Sequence, residues 1–240
     1  MATAAELMEI ISKGGRRSYE EDGFVAPVAF VFNAEGVGLA LQPTPSDTER
    51  PPYLLGRMVS LSLPLMHDAR YIGAAAEGWS KQVKVANKEE GEKQAEAIQQ
   101  GDLQKWHDEG DESVKTSIIA LCLDMEQPSK SLHGHVIDPR TTAQVEAKEA
   151  FEWDTDMGWI EGWPEGAFAD TLRESYLHTK AALGMIPEEL KGVFDALRGE
   201  ERTVEAVVAW VGSIAQTGAL QGAFWFGPDG HEAAIKVVRV

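Results

Sequence analysis

The sequence predicts an α+β protein: a mainly antiparallel sheet, hairpins at both ends of the chain, and several helices packed against it. Three observations carry that expectation. β-type runs come in adjacent pairs joined by glycine-containing turns near both ends, over residues 24–41 and 222–240. The near-continuous apolar run Ile118-Ile119-Ala120-Leu121-Cys122-Leu123 is long enough for a central strand covered on both faces. Helical and extended patterns also follow one another without the regular alternation of a parallel βαβ sheet.

Taken in order, residues 4–13 place Leu7, Met8, Ile10 and Ile11 on one side of a short helix, which Gly14-Gly15 is expected to stop. Residues 24–32 are β-rich, and Asn33-Ala34-Glu35-Gly36 turns the chain into a partner strand over 37–41. Pro43, Pro45, Pro51 and Pro52 predict a loop. Residues 53–67 then read as a helix with Leu54, Leu55, Met58, Leu61 and Leu65 on its apolar face, bent or ended by Pro64. Strands are expected at 70–79 and 81–85, at 113–126 and at 132–138, with Gln127-Pro128-Ser129 turning between the last two and a polar, acidic excursion over 88–110.

Residues 151–163 show no clean periodicity. Helices follow at 168–183, with Leu172, Tyr176 and Leu183 inward, at 187–197, opened by Pro187 and Glu188-Glu189, and at 203–215. The last is capped by Thr203 and packs Val204, Val207, Val208 and Val211. A hairpin around Gly227-Pro228-Asp229-Gly230 closes the chain. Residues 3–41 and 203–238 thus share an order of cap, apolar helix, aromatic strand, turn and strand, without sustained identity. The composition suggests a sheet-rich part over 1–145 and a helical part with the closing hairpin over 146–240, or a single domain over 1–240.

The net charge of −17 across 240 residues argues against direct binding to nucleic acid or to an anionic membrane, which needs a basic footprint. The charge is concentrated. Nine acids stand against three lysines over 88–112, and seven against one over 146–165. Such stretches serve solubility, or offer a basic partner an acidic surface. No apolar run approaches the roughly 20 residues that cross a bilayer, and the opening residues lack the pattern of a secretory signal. One cysteine, Cys122, makes no internal disulfide, so the cytoplasm is the expected compartment.

The chain carries no Walker phosphate loop, dinucleotide-binding glycine fingerprint, nucleophile elbow or Cys-x-x-Cys pair. Its metal-ligand candidate is His133-Gly134-His135: alternate strand residues share a face, so two imidazoles can converge on a divalent transition metal, with Asp138, or a distant Asp68 or Glu77, completing the shell. Two histidines on the polar side of an edge strand is the plainer account. Asp154-Thr155-Asp156-Met157-Gly158, with Glu161 or Glu165, resembles the opening of a calcium loop but lacks its third acid. Glu77 ends a strand of small residues, where a half-buried carboxylate works as an acid or base, or simply precedes a packed Trp79. Cys122, in the most apolar run, reads as structural.

Three of the seven tryptophans, Trp153, Trp159 and Trp163, lie among Asp154, Asp156 and Glu161 in the aperiodic segment. Large rings with a charged rim are what a protein-binding surface needs; a loop folded onto the sheet as a lid is the alternative.

Ala74-Ala75-Ala76-Glu77-Gly78-Trp79, a small-residue strand ending in an acid and a tryptophan, is followed after a charged gap by Val114-Lys115-Thr116-Ser117-Ile118-Ile119. Over residues 24–139 this resembles an uncharacterised family of small bacterial and bacteriophage proteins, with Gly78 inserted between acid and tryptophan and Lys115 in place of an arginine. The resemblance implies a phage or mobile-element origin, hence a host cytoplasm, and no known activity. The leading expectation is a non-enzymatic binding or inhibitory factor acting on a protein partner. A metal-dependent hydrolase built on His133 and His135, and a structural or homo-oligomeric assembly subunit, stand as alternatives.

Overall fold

The computed structural model describes residues 1–45, 50–81, 90, 93, 103–141, 144–145, 147–154, 158–164, 166–184, 204–227 and 232–235. Helix α1 spans Ala4–Asp22, and its start is written in the sequence: Thr3 and Glu6 form a reciprocal capping box that satisfies the first free N–H groups. The helix does not stop at Gly14-Gly15 as expected. It runs on to Gly23, which closes it at φ 78°. The glycines serve contact instead of termination: a Cβ on Gly15 would sit 2.8 Å from Ile118, so a bare backbone lets the helix lie close on the sheet.

Strands β1 (Val28–Phe32) and β2 (Gly38–Pro43) form the expected hairpin. Asn33 holds its turn, its side-chain oxygen accepting from the backbone of Glu35 and Val37. Helix α2 (Pro51–Ser62) starts on proline and ends before Pro64. Strands β3 (Tyr71–Lys81) and β4 (Val114–Asp124) pair along their full length, from Tyr71↔Asp124 to Lys81↔Val114. Between them the structure describes the short helix α3 (Leu103–Asp108). A 3₁₀ turn at Pro128–Lys130 leads into β5 (Leu132–Ile137), and β6 is only Ile160–Glu161. Helices α4 (Ala167–Gly184) and α5 (Val204–Ala215) precede β7 (Leu220–Phe226) and β8 (Glu232–Ile235). The expected helix at 187–197, the Thr203 cap, the strand at 82–85, the closing turn at 228–230 and most of the acidic excursion lie outside the described residues.

Among the described residues eight strands form one antiparallel sheet in the order β6-β5-β4-β3-β1-β2-β7-β8. The β2–β7 and β5–β6 pairings join residues from both sides of position 145 into it. Each face carries a core. On one, Leu7, Met8, Ile11 and Tyr19 of α1 meet Phe30, Phe32, Ile118, Cys122, Val136 and Phe226. On the other, Leu55, Met58 and Val59 of α2, Leu172 of α4 and Val207 and Val211 of α5 cover Val31, Leu39, Leu41, Ile72, Leu121 and Trp225. Burying a side chain of this size contributes about 1.5–3 kcal/mol. That two-sided covering explains why β4 reads as a continuous apolar run.

The small residues of β3 have a role in this arrangement. Gly73 leaves space for Ile11, and Gly78 for Ile119. Val208, expected to pack, is 47% exposed; the apolar stripe of α5 is narrower than its run of valines suggests. The two helix–hairpin units of similar order place α1 and α5 against opposite faces of the sheet, so they share element order without sharing placement. No described helix is long and apolar enough to cross a membrane.

Candidate functional site

The described residues of the aperiodic segment, 151–154 and 158–163, hem the open edge of β5. Asp154 exchanges two backbone hydrogen bonds with Ile137, at 3.0 and 2.9 Å, and Ile160–Glu161 pair with His133 and Leu132. Two indoles of these described residues reach over to α1. Trp153 Nε1 donates to the Glu20 carboxylate at 2.8 Å, its ring edge-on to Tyr19 and Phe151. Trp159 Nε1 donates to Glu9 at 3.0 Å, and its ring lies on Gly134, where any Cβ would fall 2.8 Å from it. Both indoles are half-buried. Trp163 is also half-buried but packs against the opposite core, with the Arg173 guanidinium 5.4 Å above its ring. Glu161 is exposed and paired with Lys130 at 2.6 Å. Asp156, with the central part of the calcium-like stretch, lies outside the described residues.

The structure therefore brings two of the three expected tryptophans onto one surface, together with groups that the sequence reading left out. Glu9 and Glu20 belong to it, roughly 16 Å apart along α1. Glu161 stands opposite Leu132 on the α1 face and is exposed, whereas Ile160, 50% exposed, stands opposite His133 and points to the other face. The i, i+11 pair of glutamates becomes a signal only if the helix is carried through Gly14-Gly15.

The structure separates the residues named for a metal. His133 and His135 do share a face of β5, but Asp138 falls on the other, by the same alternation that aligned the histidines. Asp138 is 1% exposed, accepts a hydrogen bond from Tyr19 Oη at 3.0 Å, and is held by Arg140 at 2.7 Å. His135 Nδ1 instead shares hydrogen bonds with Ser80 Oγ at 3.1 Å and Ser117 Oγ at 3.4 Å. Desolvation, then the neighbouring His133, lower its pKa. Asp68, the distant alternative, accepts from Asn33. Among the described residues no group of three His, Cys, Asp or Glu side chains is placed to hold a metal ion.

Glu77 is anchored as a structural acceptor, taking the Val25 N–H at 2.9 Å. Cys122 is fully buried, and desolvation, reinforced by Asp124, pushes its thiol up to about 12. Native protein is expected to resist a thiol-specific aromatic disulfide reagent at neutral pH and to react only after denaturation. Reaction at the denatured rate in the native state would contradict this burial.

No family model, curated protein or solved structure matches this chain. Its site is read from its own chemistry. Two polar clusters are built rather than incidental. In one, Tyr19, Asp138 and Arg140 meet under Phe151, whose ring lies 3.7 Å from the guanidinium carbon; Arg140 also donates to the Glu149 carbonyl at 2.7 Å. In the other, Arg70 forks onto Asp124 at 3.2 and 2.7 Å, while Asp124 accepts the backbone N–H groups of Glu126 and Gln127 and so shapes the turn into β5. Every ionised atom in these clusters has a protein partner, which suits them to hold loops in place.

Proposed function

We propose that this protein is a non-enzymatic acidic binding factor whose contact surface is the outer strip of α1 together with residues 151–154 and 158–161. The observation that carries the reading is the anchoring of both indoles: each ring is half-exposed, and each ring N–H is tied to a glutamate of α1. Rings fixed before contact lose little freedom on binding, so their apolar area converts efficiently into affinity. Glu9, Glu20, Glu21, Glu152 and Glu161 surround them, all exposed. A partner with a basic rim and an apolar recess for the exposed ring edges matches that surface. Charge would speed its arrival, and the rings would slow its departure. The phage or mobile-element origin implied by the resemblance fits such an accessory role and belongs to the same proposal.

The test separates binding from folding. Trp159→Ala would disturb the packing on Gly134, so Glu21→Lys and Glu161→Lys are the better probes, since both side chains are exposed and stand on the α1 face. Each is expected to leave the Tm within about a degree, surface changes being worth within ±0.5 kcal/mol. Each is also expected to weaken capture of a basic protein from the source cell by about tenfold or more. Capture by the native protein should decline as salt rises. Equal capture by native and variant proteins would reject this surface.

A further inference from the structure

A cavity of about 230 Å³ lies beneath Trp159, lined by Glu9, Ser12 and Arg16 of α1, by His135 of β5, and by Gly158 and Trp159. The three α1 residues recur at spacings of three and four, which places them on one stripe of the helix. Three features set this cavity apart. The Ser12 side chain is 1% exposed, yet its hydroxyl has no hydrogen-bond partner among the described residues, not even the carbonyl one turn back that a helical serine ordinarily uses. A buried polar group left so is costly and asks for an explanation. Among the described residues the acidic partner of Arg16 is Glu9, at 4.0 Å, too far for a hydrogen bond. Glu9 is itself engaged by the Trp159 ring N–H. One wall is therefore an indole, and the polar donors still to be satisfied are a guanidinium fork and a buried hydroxyl.

We propose that this cavity binds a small monocarboxylate, its oxygens on Arg16 and Ser12 and its apolar body against the Trp159 ring. A carboxylate matches the planar guanidinium with two parallel hydrogen bonds and retains lone pairs for the hydroxyl. The cavity is smaller than the roughly 300–1,000 Å³ that houses drug-sized ligands, which restricts the guest to about the size of an aromatic acid. The pocket opens beside the contact surface proposed above but does not depend on it.

Benzoate, acetate, benzamide and inorganic phosphate, each titrated into the whole protein by saturation-transfer NMR and by thermal shift, test the assignment. Benzoate is expected to bind and raise the Tm, with acetate weaker for want of a ring and benzamide, lacking charge, not detectable. Ser12→Ala is expected to weaken benzoate about tenfold or more, the effect of losing a hydrogen bond to a charged group. The same change should raise the Tm of the ligand-free protein or leave it unchanged, because it removes a hydroxyl without a partner. Arg16→Gln, at a partly exposed side chain, should abolish benzoate binding, and Glu21→Lys should leave it intact, which keeps this result separate from the contact surface. Absence of benzoate binding at tens of millimolar overturns the proposal. So does equal binding of benzamide, phosphate binding without benzoate, or a Ser12→Ala protein that loses stability and still binds.

Discussion

Replacing Arg140 with alanine is expected to cost about 3–5 kcal/mol, because it leaves the Asp138 carboxylate buried without its counter-charge. Asp138 sits on the α1 face at the end of β5, with a side chain 1% exposed, and Arg140 reaches it through Nε and Nη2. The guanidinium also stacks under Phe151 and donates to the Glu149 carbonyl, so its loss releases the start of the aromatic segment as well. Arg140→Lys should recover only part of the deficit, since an ammonium cannot fork onto the carboxylate and stack at once. Exchanging the whole cluster for apolar groups, Tyr19→Phe with Asp138→Leu and Arg140→Met, should be far milder than Arg140→Ala alone. Urea denaturation of these variants decides the matter. A loss below about 1 kcal/mol for Arg140→Ala would mean that the pair behaves as a solvated surface ion pair.

The same cluster sets a pH dependence. Desolvation works to raise the Asp138 pKa, but the Arg140 side chain, the Arg140 backbone N–H and the Tyr19 hydroxyl outweigh it, and the net shift is downward. A carboxyl with a lowered folded pKa stabilises fully above its unfolded value, near about pH 4, and loses that contribution as pH falls through the folded value. Native protein is therefore expected to weaken steeply below about pH 4, and Arg140→Ala to show a flatter acid limb. At the alkaline end, burial, reinforced by the Asp138 charge, pushes the Tyr19 phenol up to about 12. The unfolded chain ionises first, so stability falls as pH rises from about 10 towards 12.

The second large effect is at the hairpin. Phe32 is fully buried, with ring centroids 6.0 Å from Phe30 and 5.3 Å from Phe226, and Phe32→Ala is expected to cost about 3–5 kcal/mol through the cavity it leaves. Gly38 faces it across the β1–β2 register, and a Cβ there would run into the Phe32 ring. Gly38→Ala alone should cost about 1–3 kcal/mol as overpacking. In the Phe32→Ala background the methyl meets space instead of a ring, though it still approaches the Val31 carbonyl at 2.8 Å. The double variant should thus be more stable than the sum of the single losses by about 1 kcal/mol or more, readable in a double-mutant cycle by thermal denaturation. Strict additivity would show that ring and glycine do not share the space.

Local chemistry made much of this fold legible from sequence. The Thr3–Glu6 box, the Asn33–Gly36 turn and the apolar run of β4 depend on residues close in the chain, so their outcome is written where they stand. Gly14-Gly15 misled for a physical reason: glycine stops a helix when the backbone must turn left-handed, and continues it when another element needs its missing Cβ. Ile118, more than a hundred residues away, decides between the two. His133, His135 and Asp138 show the same limit, for strand alternation aligns the first two and turns the third to the opposite face.

The antiparallel α+β character, the two terminal hairpins, the buried central strand and the concentration of acid around Trp153 and Trp159 follow from patterns local to the chain. Contacts between distant residues instead carry α1 far enough to hold both indoles by Glu9 and Glu20, set Trp163 in the other core, and line a cavity with Ser12 and Arg16. Periodicity reports which side of an element is apolar. What lies across from that side is set by packing between residues far apart in the chain, and that packing is where the candidate site arises.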